Sequence, residues 1–214
     1  MKLNLGCGSK IIEGFVNIDM HKAEGVDLTY DLERSRDVPL PFECNSVSVV
    51  YLSHVLEHLK NFFPLMEEIY RVCQTQAVVV VRVPAFNSDE AWIDPTHVRP
   101  WHPRSFNYFS QPKYHKFDYG FKADFQPCRA VYVLDELKLK ELHARSTKPG
   151  SGGPSIKLDD VFSIRGLWTE LVMYLTVHKP ARPRSAALLS SAVAEVAINT
   201  HLINIPSFGV SDLA

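Results

Sequence analysis

The 214-residue sequence predicts an α/β fold built on a mostly parallel sheet, and three observations carry that prediction. A strand, a glycine turn and a second strand open the chain, in "KLNLGCGSKIIEGFVNID" from Lys2 to Asp19. Two apolar, β-branched runs follow, "SVSVVYLS" at Ser46–Ser53 and "AVVVVRVP" at Ala77–Pro84, of the kind buried on both faces of a parallel sheet. A segment of helical spacing separates them, and strand–helix–strand alternation is how such sheets are written.

The elements follow in order. Leu3–Leu5 and Phe15–Ile18 read as short strands, and Val26–Tyr30 as a third. After Ser46–Ser53 a helical stretch is expected, pausing near Asn61. Pro64 suits the first turn of a new helix, in which Leu65, Ile69 and Val72 recur at helical spacing. From Pro84 to Cys128 the character changes: eleven of the chain's 23 aromatics fall in these 45 residues, among Pro, His and Arg. That segment reads as a cap or substrate-facing insertion. Ala130–Leu139 and Leu171–His178 are expected as a late pair of strands, joined through a flexible loop, "STKPGSGGPS" at Ser146–Ser155. Leu189, Ala192, Val193, Val196 and Ala197 share one helical face, which predicts an amphipathic helix over Ser185–Thr200. The expected organisation is one domain over residues 1–180, with the cap at about 84–128, and a helical appendage over 181–214.

Composition narrows the function. The chain is 46% hydrophobic and 22% charged with a net charge of −1, which gives no support for bulk electrostatic binding of nucleic acid. Ala186–Pro206 is the longest weakly charged stretch, but Glu195, Asn199 and His201 break it, so no membrane span is expected. The first residues do not read as a signal peptide. Cys7, Cys44, Cys73 and Cys128 form no C-x-x-C pair and read as reduced thiols, which points to a cytoplasmic protein. Lys179, Arg182 and Arg184 read as a small solvated basic turn.

The glycine loop bears on the ligand. "GCG" lacks the third glycine of the dinucleotide fingerprint, because Ile11 stands there. Only nine residues, Gly6 to Gly14, separate the first two strands, where a parallel crossover usually takes a dozen or more. At most one or two helical turns fit, and a pyrophosphate needs a helix N-terminus to hold it. Asp19, ending the second strand, can accept from both hydroxyls of a ribose. Asp31, after the third, can accept from an exocyclic amine. S-adenosyl-L-methionine (SAM) has the ribose and the adenine, lacks phosphate and carries a sulfonium cation. It suits this loop better than a dinucleotide does.

Two further patterns carry chemistry. "HVLEH" at His54–His58 matches the H-x-x-E-H pattern of zinc peptidases. On a helix His54 and His58 would share a face, but spacing identifies no third ligand, so no metal is expected. Farther on, Trp92, Trp101, Phe106, Tyr108 and Phe109 lie among Asp94, His97, Arg99, His102 and Arg104. The mixture suits a polar substrate pocket, with Trp92 and Trp101 offering aromatic faces and Arg99 and Arg104 clamping an anionic group. The alternative is a segment that packs its aromatics into its own core. A neutral histidine is the natural base for a hydroxyl acceptor at physiological pH. His97 is the first candidate, with Asp94 orienting it or binding the acceptor, and His54 the second.

"LNLGCG", "FVNIDM", "DLTYDLE", "PLPFECNSVSVVYLSHVLEHL" and "EEIYRV" together resemble the class I SAM-dependent methyltransferases, in particular the small type-11-like members associated with sugar and polysaccharide biosynthesis. The resemblance covers Lys2 to about Pro84, and "DPTHVRPWHPRSFNYF" at Asp94–Phe109 is similar to a segment of the same subgroup. It implies a Rossmann-like sheet of seven strands with the last antiparallel, and SAM as cofactor. It implies that Gly6 and Gly8 line the methionine part of SAM with Asn4 and Cys7 nearby. Asp19 takes the ribose, Asp31 and Leu32 lie by the adenine, and His54 closes the site. The acceptor it implies is a hydroxyl of a small-molecule sugar or glycan intermediate. Two departures stand out: the helix after "GCG" is nearly absent, and "CQTQA" at Cys73–Ala77 replaces the usual Lys-Pro-Gly-Gly turn. The competing expectations are a metal-dependent hydrolase built on "HVLEH" and a catalytically inactive SAM-binding partner protein. A homodimer through the C-terminal helix is a further expectation.

Overall fold

The computed structural model describes residues 1–113, 119–146, 165–184 and 193–198. Its strands are β1 (Lys2–Leu5), β2 (Val16–Asp19), β3 (Leu28–Thr29), β4 (Val47–Ser53), β5 (Cys73–Pro84), β6 (Phe125–Leu134), β7 (Trp168–Val177) and β8 (Val193–Ile198). They form one sheet in the order β3-β2-β1-β4-β5-β7-β6-β8. β1 to β5 pair in parallel, and β7 runs antiparallel to both β5 and β6. The first seven strands thus make the Rossmann-like mixed sheet that the resemblance implies, with its seventh strand reversed. β8 is an addition at the edge, parallel to β6 from Arg129↔Val193 to Leu134↔Ile198.

β8 overturns a helix expectation. Val193–Ile198 is extended, so an amphipathic helix over Ser185–Thr200 is excluded at those six residues. Residues 185–192 and 199–214 lie outside the described residues. A short apolar run fits either period, and the unpaired N–H and C=O groups along β6 favour the strand. The loop expected at Ser146–Ser155 also lies outside the described residues beyond Ser146.

The helix α1 (Phe62–Val72) buries Leu65, Met66, Ile69 and Val72, the spacing read from the sequence. Each such side chain contributes about 1.5–3 kcal/mol by leaving water. No loop separates α1 from β5: Cys73 ends the helix and begins the strand. "CQTQA" is therefore strand rather than turn. Its extra residues are absorbed where the pairing jumps from Val47↔Cys73 to Val49↔Val78, with Gln76 at φ 63°. The remaining helices are α2 (Glu90–Ile93) and α3 (Glu136–Ser146), and Pro103–Phe109 forms a 3-10 helix. β6 begins and ends earlier than expected, since residues 136–139 open α3.

β1, β2, β4 and β5 all point the same way, so Leu5, Asp19, Ser53 and Pro84 end on one edge of the sheet. Reversed β7 starts on that edge, where Pro84↔Glu170 and Leu134↔Trp168 are in register. Ligands of open α/β sheets bind outside the carboxyl ends of the strands.

Candidate active site

The glycine loop leaves β1 without a helix: residues 6–15 are turns and irregular backbone. Two buried asparagines stand in for the missing helix. Asn4 donates from Nδ2 to the Lys10 carbonyl at 2.8 Å and to Asn17 Oδ1 at 2.9 Å. Asn17 Oδ1 accepts from the Ile12 N–H at 2.9 Å, and its Nδ2 donates to the Ile12 and Phe15 carbonyls, each at 3.2 Å. The Asn4 amide is thus spent inside the protein, at 2% exposure, and supports the loop from beneath.

Gly6 and Gly8 have φ of 65° and 51°. A Cβ on Gly6 would lie 2.4 Å from Val55 Cγ2, so glycine is required there on both counts. The contact brings the loop against the turn that follows β4. Asp19 binds the same loop: its Oδ2 accepts from the Gly8 N–H at 2.8 Å and its Oδ1 from the His21 N–H at 3.0 Å. Each oxygen keeps a further lone pair for a ribose hydroxyl. The buried Cys7 N–H donates to the Ile18 carbonyl at 2.9 Å, pinning the loop to β2. Burial foremost, then the charge of Asp19, raises the Cys7 thiol pKa, so it stays a neutral liner. Asp31 heads the 3-10 turn Leu32–Arg34, accepting the Glu33 N–H at 3.0 Å through Oδ1 and leaving Oδ2 for an amine; Leu32 is buried in the core beside it.

Beyond the turn after β4 opens a cleft of about 530 Å³. Its walls come from that turn (His54, His58), the ends of β5 and β6 (Arg82, Pro84, Val133), the start of β7 (Thr169, Glu170), and the segment after β5 (Glu90, Asp94, His97). His97 and Asp94 therefore do meet at a cavity with His54, as candidates for the chemistry should. Val98 N–H donates to the Glu57 carbonyl at 2.7 Å, which fixes the Asp94–Val98 segment against the His54–His58 turn.

"HVLEH" is not helical. His54 has φ 56° and residues 54–60 are turns and bends, so the two histidines do not share a helix face. His54 Nε2 lies 2.8 Å from Glu170 Oε1 and its Nδ1 3.3 Å from Glu57 Oε1, while His58 turns toward Thr96. The peptidase geometry, and the hydrolase expectation with it, loses its basis. His54 is also unsuited as a base. Burial alone would lower its pKa, but the carboxylates of Glu170 and Glu57 outweigh burial and raise it to about 9, so it is an imidazolium at neutral pH. Glu170 also pairs with Arg82; against the burial that would raise it, His54 and Arg82 hold its pKa down at about 2.

The four expected substrate residues fare differently. Trp101 is 2% exposed and packs edge-on against Phe62 at 5.4 Å. Arg99 donates to the Leu59 carbonyl and stacks 4.5 Å over Phe62. Neither is in the wall of this cleft; both line a second pocket of about 290 Å³ with Phe62, Phe63 and Tyr108. Trp92 is 61% exposed, with Nε1 on the Phe86 carbonyl at 3.1 Å, and Arg104 is exposed; neither lines the cleft. Sequence reasoning missed Arg82 and Glu170, and named Glu57 only within "HVLEH". Arg82 had a signal, a lone charge inside "AVVVVRVP". Glu170 had none, since only the antiparallel register of β7 carries it to Arg82.

Residues 7–81 match a family model described as a methyltransferase domain. No curated protein matches the chain. Among solved structures, a SAM-dependent methyltransferase from Archaeoglobus fulgidus is 17% identical, with a TM-score of 0.50 over 82% of this chain and 85% of that one. A SAM-dependent methyltransferase from Aquifex aeolicus is 12% identical, with a TM-score of 0.45 over 83% and 81%. Residues 7–81 are thus similar to a methyltransferase domain, and the sheet they open has the fold of a class I methyltransferase.

Proposed function

We propose that the protein transfers a methyl group from SAM to a polar acceptor bound in the cleft beside the glycine loop. The cofactor is S-adenosylmethionine. Gly6 and Gly8 offer open backbone to its methionine end, Asp19 takes the ribose hydroxyls and Asp31 the adenine amine. The observation that carries the reading is the adjacency of two sites on one sheet edge: Gly6 packs on Val55, and His54, the next residue back, is in the cleft wall.

The acceptor is a hydroxyl of a sugar or glycan intermediate. The lining supports this class, because Arg82, His54, Glu170, Glu90 and Asp94 offer hydrogen-bonding groups of both signs to a polyhydroxylated ligand. Methyl transfer is an in-line displacement, and positioning supplies much of the acceleration. The hydroxyl proton leaves at the His97 wall. His97 Nδ1 is 3.3 Å from the Ala91 carbonyl, which holds the proton on Nδ1 and leaves Nε2 as the accepting atom, 3.8 Å from Asp94 Oδ2.

Calorimetry with SAM tests the cofactor reading. SAM binds, and Asp19→Ala weakens it on the order of 10- to 100-fold, the value of hydrogen bonds to a charged group. Binding of NAD with none of SAM overturns the proposal. Transfer of labelled methyl from SAM to a panel of nucleotide sugars and glycans tests the acceptor class, and absence of transfer to all of them, with SAM bound, favours the SAM-binding partner protein.

A further inference from the structure

We propose that Glu57, His58 and His97 bind a first-row divalent metal ion in the wall of the cleft. One donor atom from each lies within 4.8 Å of the other two. The spacing of "HVLEH" identifies no third ligand; the third comes from another loop, carried in by the Val98–Glu57 hydrogen bond.

The carboxylate of Glu57 asks for a partner. Glu57 is 1% exposed, and among the described residues neither of its oxygens accepts a hydrogen bond. Among the described residues the His54 imidazolium, 3.3 Å from Oε1, is the charge paired with it, and His54 is shared with Glu170. Oε2 has no partner there, and a buried carboxylate oxygen left without one is costly.

Both imidazoles are set to ligate. The Thr96 hydroxyl donates to Asp94 Oδ1 at 2.6 Å, so toward His58 Nδ1, 2.9 Å away, it has only a lone pair to offer. His58 therefore carries its proton on Nδ1. His97 does the same, through the Ala91 carbonyl. That leaves Nε2 of each ring as the accepting atom, and a histidine whose other nitrogen donates to an oxygen is the usual form of a metal ligand. The rings meet at 4.7 Å between centroids. Metal–ligand bonds of about 2 Å set tetrahedral donors about 3.3 Å apart, so the widest pair must draw in by up to about 1.5 Å. The charge around them suits a cation: Glu57, Glu90, Asp94 and Glu170 face Arg82 and His54, four carboxylates against two positive groups. Two imidazoles and one carboxylate, with open positions toward a cleft, suit zinc, iron(II) or cobalt better than magnesium or calcium.

The inference does not rest on methyl transfer. It does bear on one role within it: an ion held there would occupy the His97 lone pair, would acidify an acceptor hydroxyl bound to it, and would leave that hydroxyl's proton to pass to water in the cleft instead of to His97.

The test is titration of chelator-treated full-length protein with Zn²⁺ by calorimetry and with Co²⁺ by visible absorption, SAM affinity being measured separately on the same samples. One equivalent binds. His58→Ala and His97→Ala each weaken it at least 100-fold, and the shape-conserving Glu57→Gln at least tenfold. Thr96→Val, which frees the His58 tautomer without touching a ligand, weakens it about tenfold. Circular dichroism identifies any variant that fails to fold, and the Thr96→Val result then stands in for it. No stoichiometric binding, or binding that survives both histidine substitutions, overturns the proposal.

Discussion

A histidine at φ 56° holds a strained backbone, at a cost of about 1–3 kcal/mol, and His54 adopts it in the first residue after β4. Its ring then lies between two carboxylates. The pairing makes stability depend on pH. His54 has a folded pKa near 9, above its ordinary 6.5, so its contribution is complete below about pH 6.5 and is lost as pH rises toward 9. Glu170 has a folded pKa near 2, so its contribution is complete above about pH 4.5 and is lost as pH falls toward 2. The two share the His54–Glu170 contact, and each has a second partner, Glu57 for His54 and Arg82 for Glu170. The melting temperature should therefore decline between pH 6.5 and 9, and in His54→Gln that decline should flatten; an unchanged slope in the variant refutes the assignment.

At the scale of elements, hydrogen-bonded side chains replace regular structure in two places. The Asn4–Asn17 pair does so under the glycine loop. Asn17→Ala leaves buried partners unpaired and should cost about 1–3 kcal/mol in urea unfolding while also weakening SAM, since the loop loses its support. The second place follows the cis Lys179–Pro180 bond. Arg182 donates from Nε and its backbone N–H to Asp124 Oδ2, both at 2.8 Å, and from Nη2 to Oδ1 at 2.9 Å, with Asp124 wholly buried. The Lys179 ammonium meets Asn45 Oδ1 at 2.7 Å. These are structural ties, and the solvated basic turn read from the sequence is replaced by a clasp on the start of β6. Arg182→Ala strands a buried carboxylate and should destabilise by about 3–5 kcal/mol in chemical denaturation, without abolishing SAM binding in the folded fraction. The early end of β6 also had a legible signal: Asp135 Oδ1 accepts the Leu137 and Lys138 N–H groups at 2.9 and 3.1 Å, a helix N-cap in "LDELK".

For the whole molecule, the sheet brings cofactor loop and cleft to one edge, so ligand binding should be felt globally. SAM at 100 times its dissociation constant adds about 2.7 kcal/mol to stability. For a chain of this size that is a rise of about 5–11 °C in the melting temperature. A thermal-shift series with SAM, its demethylated product and NAD checks this: the first two should raise the midpoint and NAD should not.

Local pattern alone determined the class of fold, the two central buried strands, the face of α1 and the identity of the glycine loop with Asp19. Those features depend on periodicity and on turn chemistry within a few residues, which a sequence states directly. Tertiary structure alone decided that Asn4 supports the loop, that Trp101 and Arg99 stand outside the cleft wall, that His54 is an imidazolium, and that His97 meets His58 and Glu57. Each of these depends on which segment lies opposite, set by strand order and by the antiparallel register of β7. A side chain's charge and hydrogen bonds are properties of its surroundings, and those surroundings come from residues far away along the chain.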